Sequence, residues 1–264
     1  MIESITDPEE LNKLAEAFAA QASNPVVTEY PESNEVTLPG GYLSTDNSVL
    51  KNAEVRELNG ADEEAIAKAN TSARALEIVL SKGLVSIGGI PAHKLNLEEL
   101  LSGDRDAILL GIYAATFGSD VVVAQGCMSC DTTNELTVNV LEDPTVVELD
   151  NPIRDRIIEV SIKAGTAVMT LPNGATNKRL VDADQKSTAE VITDILTSCL
   201  VSVNDVPSFG KSTALNLSIV DRETLVTELF SKVPGPRLAE VSKACKACDA
   251  ALTVSLSLAN LFRV

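Results

Sequence analysis

Two short cysteine pairs, Cys127-Met128-Ser129-Cys130 and Cys245-Lys246-Ala247-Cys248, constrain this chain more than any other feature, because 114 residues separate them. A two-residue gap lets a tight turn aim both sulfurs at one ion. β-type sequence flanks each pair: Val121-Val122-Val123 and Leu136-Thr137-Val138 around the first, Leu238 to Val241 and Leu252-Thr253-Val254 around the second. That is the layout of a zinc ribbon, in which two hairpin turns each give two thiolates to one tetrahedral ion. Asp131 and Asp249 follow the pairs at a position that calls for a left-handed backbone, which Asp tolerates better than most residues. Cys127, Cys130, Cys245 and Cys248 are therefore the candidate metal ligands, with structural Zn²⁺ as the expected ion and iron or a redox dithiol as the alternatives. Four protein ligands close the coordination sphere and leave no place for a catalytic water. Lys243 and Lys246 are placed to offset part of the cluster's negative charge.

The spacing is far longer than the roughly 15–20 residues of compact zinc signatures, and an internal repeat accounts for it. Val36-Thr37-Leu38-Pro39-Gly40-Gly41 returns as Met169-Thr170-Leu171-Pro172-Asn173-Gly174, and Leu84 to Pro91 returns as Leu200 to Pro207. Gly88-Gly89 and Asn204-Asp205 are hairpin turn pairs. A helix with apolar positions from Ile66 to Leu80 corresponds to one from Val191 to Cys199, the latter opened by a Ser187/Glu190 capping box. Asp104-Arg105 and Asp221-Arg222 open a further helix in each copy. The offsets 200−84 = 116, 221−104 = 117 and 245−127 = 118 are nearly constant. The expected fold is α+β: a tandem duplication of a helix-plus-β-hairpin unit joined by a shared four-cysteine zinc ribbon. The expected divisions are 1–34, an acidic arm with a short amphipathic helix (Leu11, Leu14, Ala15, Phe18), then repeat one at 35–150 and repeat two at 151–264. The apolar ending Leu256 to Phe262 is expected to pack on the second copy.

Composition narrows the function. Lys and Arg total 21 against 38 Asp and Glu, a net charge of −17, and aromatic residues make up 3% with no Trp. Such a chain repels phosphate and lacks stacking platforms, so nucleic-acid binding, which the knuckles alone would invite, becomes the minor reading. No apolar run of 18 residues and no basic start with an apolar segment are present, so neither a membrane partner nor a signal peptide is expected. The cysteine pattern fits a reducing compartment. No catalytic set can be assembled: His93 stands alone, Cys199 lies on the apolar side of a helix, and Leu38 to Tyr42 lacks the glycines and the Lys-Ser/Thr of a phosphate loop.

Leu38-Pro39-Gly40-Gly41-Tyr42, Glu54 to Glu64, Gly103 to Gly111 and the first cysteine pair, taken in that order, resemble the baseplate hub assembly chaperone family of tailed bacteriophages, T-even type. Pro234-Gly235-Pro236-Arg237-Leu238 to Phe262 is similar to the longer actinobacteriophage members. Where family knuckles often read Cys-Pro-x-Cys-Gly, this chain has Met128 and Lys246 in place of Pro. The resemblance implies a non-enzymatic protein acting on tail or baseplate hub proteins in the host cytoplasm during assembly. Residence in the mature virion tail is the alternative it leaves open.

Overall fold

A computed structural model describes residues 34–264; the expected acidic arm and its helix lie outside the described residues. The chain is a mixed α+β fold with a cluster of four cysteines. From the N-terminal side come β1 (Asn34–Leu43), β2 (Val49–Val55), α1 (Gly60–Ile66), α2 (Ser72–Gly83), β3 (Leu84–Ile87), β4 (Ile90–Pro91), α3 (Ser102–Phe117), β5 (Asp120–Gly126) and β6 (Thr133–Asn139). After β7 (Val146–Val147) follow β8 (Ile157–Ile162), β9 (Gly165–Thr170), α4 (Gly174–Arg179), α5 (Thr188–Cys199), β10 (Leu200–Val203), β11 (Val206–Pro207), α6 (Lys211–Asn216) and α7 (Ile219–Lys232). The chain ends with β12 (Gly235–Pro236), β13 (Val241–Ala244), β14 (Ala251–Val254) and α8 (Leu258–Phe262). Two antiparallel four-stranded sheets result, in the orders β1-β2-β3-β4 and β8-β9-β10-β11. The hairpins β5-β6 and β13-β14 stand apart from both sheets.

Local chemistry explains most of these elements. Gly88-Gly89 (φ 56 and 78°) and Asn204-Asp205 (φ 50 and 62°) supply the positive φ of two-residue hairpin turns, as their sequence demands. Ser187 and Glu190 form the anticipated capping box of α5. Gly118 (φ 88°) stops α3. Strand β6 alternates exposed and buried positions, placing Asn134, Leu136 and Val138 inward.

Three expectations are corrected. The helix from Ile66 to Leu80 is two helices, because Thr71 caps α2 by accepting the Arg74 N–H and starts a new helix although the apolar period runs through it. Val36 to Gly41 lies in β1, the first strand of its sheet, whereas Met169-Thr170 ends β9, the second strand of its own, so the two segments are not counterparts. Asn59-Gly60 opens α1 as Asn173-Gly174 opens α4, and both asparagines form capping boxes. Finally, α8 packs on the first half: Phe262 meets Tyr113 edge-on with ring centroids 5.6 Å apart, and Ser72 Oγ donates to the Val264 carbonyl at 2.9 Å.

Each sheet with its helices has its own core. One is built on Leu38, Val55, Val79, Leu80, Ile108 and Ile112, the other on Met169, Leu171, Ile195, Leu196, Leu225 and Leu229. A third joins Tyr113 and Val138 to Val241, Val254 and the buried cysteines Cys127 and Cys245.

The halves meet along the start of α3. Ser102 N donates to Pro172 O at 3.0 Å, Gly174 N to Leu100 O at 2.9 Å, and Ala175 N to Glu98 O at 3.0 Å. Gly103 lies against Pro234 so closely that a Cβ would overlap the Pro234 carbonyl. Arg156 donates to Gly41 O, and β12 pairs with β7. The residues of each Asp-Arg pair do not bond to one another. Arg105 pairs with Glu77 at 2.6 Å, Arg222 donates to Thr193 Oγ1 at 2.6 Å, and Asp221 accepts the Lys163 N–H at 2.7 Å.

Asp104 sits in the middle of this joint, fully buried, accepting the Gly40 N–H at 2.6 Å with its second oxygen unpartnered. Burial pushes its carboxyl up to about 6, outweighing the Gly40 N–H and the Arg156 guanidinium. The folded value lies above the ordinary 3.8, so the native state keeps a proton that the unfolded chain has already lost. Stability from this group is full below about pH 4 and is lost as pH rises through about 6, a change on the order of 3 kcal/mol. Asp104→Asn keeps an acceptor for Gly40 and removes the titration. Denaturant unfolding from about pH 4 to 7 is expected to shift the variant's stability relative to the parent upward by about that amount; a difference independent of pH contradicts the assignment.

Candidate metal centre

Hairpins β5-β6 and β13-β14 each end in a cysteine turn, and the two turns face each other. In both, a backbone N–H two residues in from the strand closes the turn: Asp131 N donates to Cys127 O and Asp249 N to Cys245 O, each at 2.9 Å. Asp131 (φ 54°) and Asp249 (φ 56°) take the left-handed conformation anticipated for them. Cys127 N and Cys245 N donate to Thr132 O and Ala250 O at 3.0 and 2.9 Å, so the two turns are built alike.

The four sulfurs lie within 4.8 Å of one another and form no disulfide. Cys127 and Cys248 are 3.7 Å apart, as are Cys130 and Cys245, so each near pair crosses from one hairpin to the other. A tetrahedral ion with metal–sulfur bonds of about 2.3 Å has sulfur–sulfur edges of about 3.8 Å. The four cysteines therefore fit a metal ion bound by all of them. Cys127 and Cys245 are buried, Cys130 is half-buried and Cys248 is exposed, so one corner of the cluster opens to solvent.

Electrostatics give the cluster the same reading. The Ala247 N–H, with help from the Cys248 N–H and the Asn134 side chain, lowers the Cys245 thiol to about 6. Thr132 holds Cys130 below its usual value through side-chain and backbone bonds. Cys248 behaves in the opposite way: the Ala250 N–H favours its thiolate, but Cys130, burial and the other cysteines outweigh it and push the thiol up to about 12. Four thiolates packed this closely cannot all ionise unless a cation joins them, and a cation that does so displaces the remaining protons.

Of the two lysines singled out as counter-charges, Lys243 is taken by Asp143 at 2.6 Å and Lys246 donates its ammonium to Glu135 O. The residue that does support the cluster is Asn134, which belongs to neither cysteine motif. It is 3% exposed, and its amide nitrogen donates to Thr132 O at 3.1 Å and lies 3.5 Å from Cys245 Sγ. Its oxygen accepts the Lys246 N–H at 2.9 Å. One side chain on the first hairpin thus holds the turn of the second. Its signal in the sequence is a polar residue in phase with the inward Leu136 and Val138; the matching place after Cys248 holds Leu252. His93 is exposed, and Cys199 is buried beside Thr176 with its thiol raised to about 11 by burial, as a core residue would be.

Two predictions follow from this geometry. Asn134→Leu is expected to weaken metal binding roughly 10–100-fold, the usual effect of removing an outer-sphere donor. Competition with a chromophoric chelator measures this, and unchanged affinity would remove Asn134 from the site. Cys127→Ser and Cys245→Ser, one in each hairpin, are each expected to abolish binding and lower the melting temperature, since structural thiolate sites contribute on the order of 10 kcal/mol or more. If either variant kept the ion, the four-ligand assignment would fall. Comparison of the chain with protein-family models, curated proteins and solved structures gave no match.

Proposed function

We propose that this chain is a non-enzymatic bacteriophage tail protein that acts in baseplate hub assembly through protein–protein contacts, and that its body is a tandem duplication stapled by structural zinc on Cys127, Cys130, Cys245 and Cys248. The duplication is supported by the recurring order of elements: two strands, two helices, a hairpin, a long helix and a cysteine hairpin occur twice. Zinc is supported by the all-sulfur donor set and its tetrahedral spacing, which close the coordination sphere against a reactive water.

The observation that carries the assembly reading is where the motifs behind the family resemblance meet. Gly40 of the Leu-Pro-Gly-Gly-Tyr run, Gly103-Asp104 and Pro234-Gly235 pack against one another in the joint between the halves. Glycines there allow backbone-to-backbone approach, and Asp104 is fully buried behind them. Residues with this role hold a shape, which suits a protein that works by holding others. The charge of −17 also favours protein over nucleic-acid partners.

The test is to follow the tagged chain through infection. Association with hub proteins in assembly intermediates and absence from purified virions is the expected result. Presence in virions at fixed stoichiometry would make it a structural tail component, and association with no tail protein in either fraction would overturn the reading. Elemental analysis is expected to give one zinc per chain.

A further inference from the structure

The joint between the halves is head-to-tail, and each of its two complementary surfaces has a counterpart that the described residues leave uncovered. On the donating side, Gly174 and Gly235 of the second half are buried against the first. A Cβ on Gly174 would overlap Leu97 O and lie 2.8 Å from Glu98 Cα, and one on Gly235 would lie 2.6 Å from Gly103 Cα. Their counterparts in the first half are Gly60, which follows the Asn59 cap as Gly174 follows Asn173, and Gly118, at 235−118 = 117 residues' offset. Both are exposed, and among the described residues a Cβ on either would meet nothing within 4 Å.

On the receiving side the first half uses residues 98–103. The same 117-residue offset puts their counterparts at 215–220, where Leu215, Ile219 and Val220 are 54, 75 and 48% exposed. An apolar run this open, beside a helix start, is out of keeping with a chain this acidic.

We propose that a second copy of this chain docks here, the Leu215–Val220 face of one copy on the Asn59-Gly60 face of the next. The inference rests on the duplication proposed above and is independent of the tail-assembly reading. Val220 stands where the first half has Gly103, so the close backbone approach of the internal joint is not reproduced. Space for its side chain exists on the other face: Leu58, Gly60, Tyr113 and Phe117 line a groove of about 1020 Å³, and Phe117 is 60% exposed. Such a contact is heterologous, so it propagates from copy to copy or closes into a ring. Its apolar character and the net charge of −17 together mean that added salt tightens it.

Sedimentation velocity of the metal-loaded full chain tests the proposal. The mass is expected to rise with concentration above the 27.9 kDa of one chain, through the micromolar range and further with salt. Ile219→Asp and Gly60→Arg, both at exposed positions, are each expected to block growth. A one-to-one mixture of the two variants is expected to form pairs and nothing larger, because one variant keeps each face. A parent that stays monomeric, variants that associate like the parent, or a mixture that does not pair would overturn it. Gly174→Ala probes the internal joint separately. If it lowers the melting temperature while the parent is monomeric, the internal joint stands and the docking proposal alone falls; if it is neutral, the close internal contact on which the docking face is patterned falls, and the proposal with it.

Discussion

Four sulfur atoms held within 4.8 Å are a strong electrostatic constraint. Ionised together they would repel, and left as thiols two of them would be buried without good partners. Backbone N–H groups aimed at Cys245 and the Asn134 amide against the same sulfur favour its thiolate, the form that a cation would need. The segment after β12 carries the second half of the cluster: β13 and β14 bring the second turn, Leu238 O accepts the Leu256 N–H, and α8 then crosses to the first half. A cation held by these sulfurs would act on the same contact as the third core, since Cys127 and Cys245 belong to both.

The second constraint is the steric one at the start of α3. Ser102 and Leu100 give their backbone groups to the second half, so this helix entry is capped by another part of the chain and not by its own residue, Leu101. Asp104 in the first turn is well placed for the helix dipole, yet its structural task is to bind the Gly40 N–H. A carboxylate buried this way is tolerable because protonation lies within reach of ordinary pH.

How far these features could be read in advance depends on the range over which each is determined. The cysteine turns, the Asp131 and Asp249 conformations, the Gly88-Gly89 and Asn204-Asp205 hairpins and the α5 capping box are set by neighbours a few residues away, and their sequence signals are unambiguous. The break between α1 and α2 was masked because Ile66, Ala69 and Ala73 keep the helical period across it, while Thr71, a competent cap, sits inside that period. The match of Val36 to Gly41 with Met169 to Gly174 followed letters where the fold follows Asn caps. Asn134, the packing of Phe262 and the bond from Asp104 to Gly40 depend on partners 111, 149 and 64 residues away, and no local pattern encodes such partners.

The near sulfur pairs also have a kinetic side. Each crosses between hairpins, closing loops whose ends are 121 and 115 residues apart. Loop-closure entropy grows only slowly with such lengths, but contacts of this range form after local hairpins and helices. The two sheets draw on residues near one another in sequence and have cores of their own. An ion bound by all four cysteines therefore acts as a late clasp on halves already shaped, and its removal would open a long loop while leaving the parts that the loop connects.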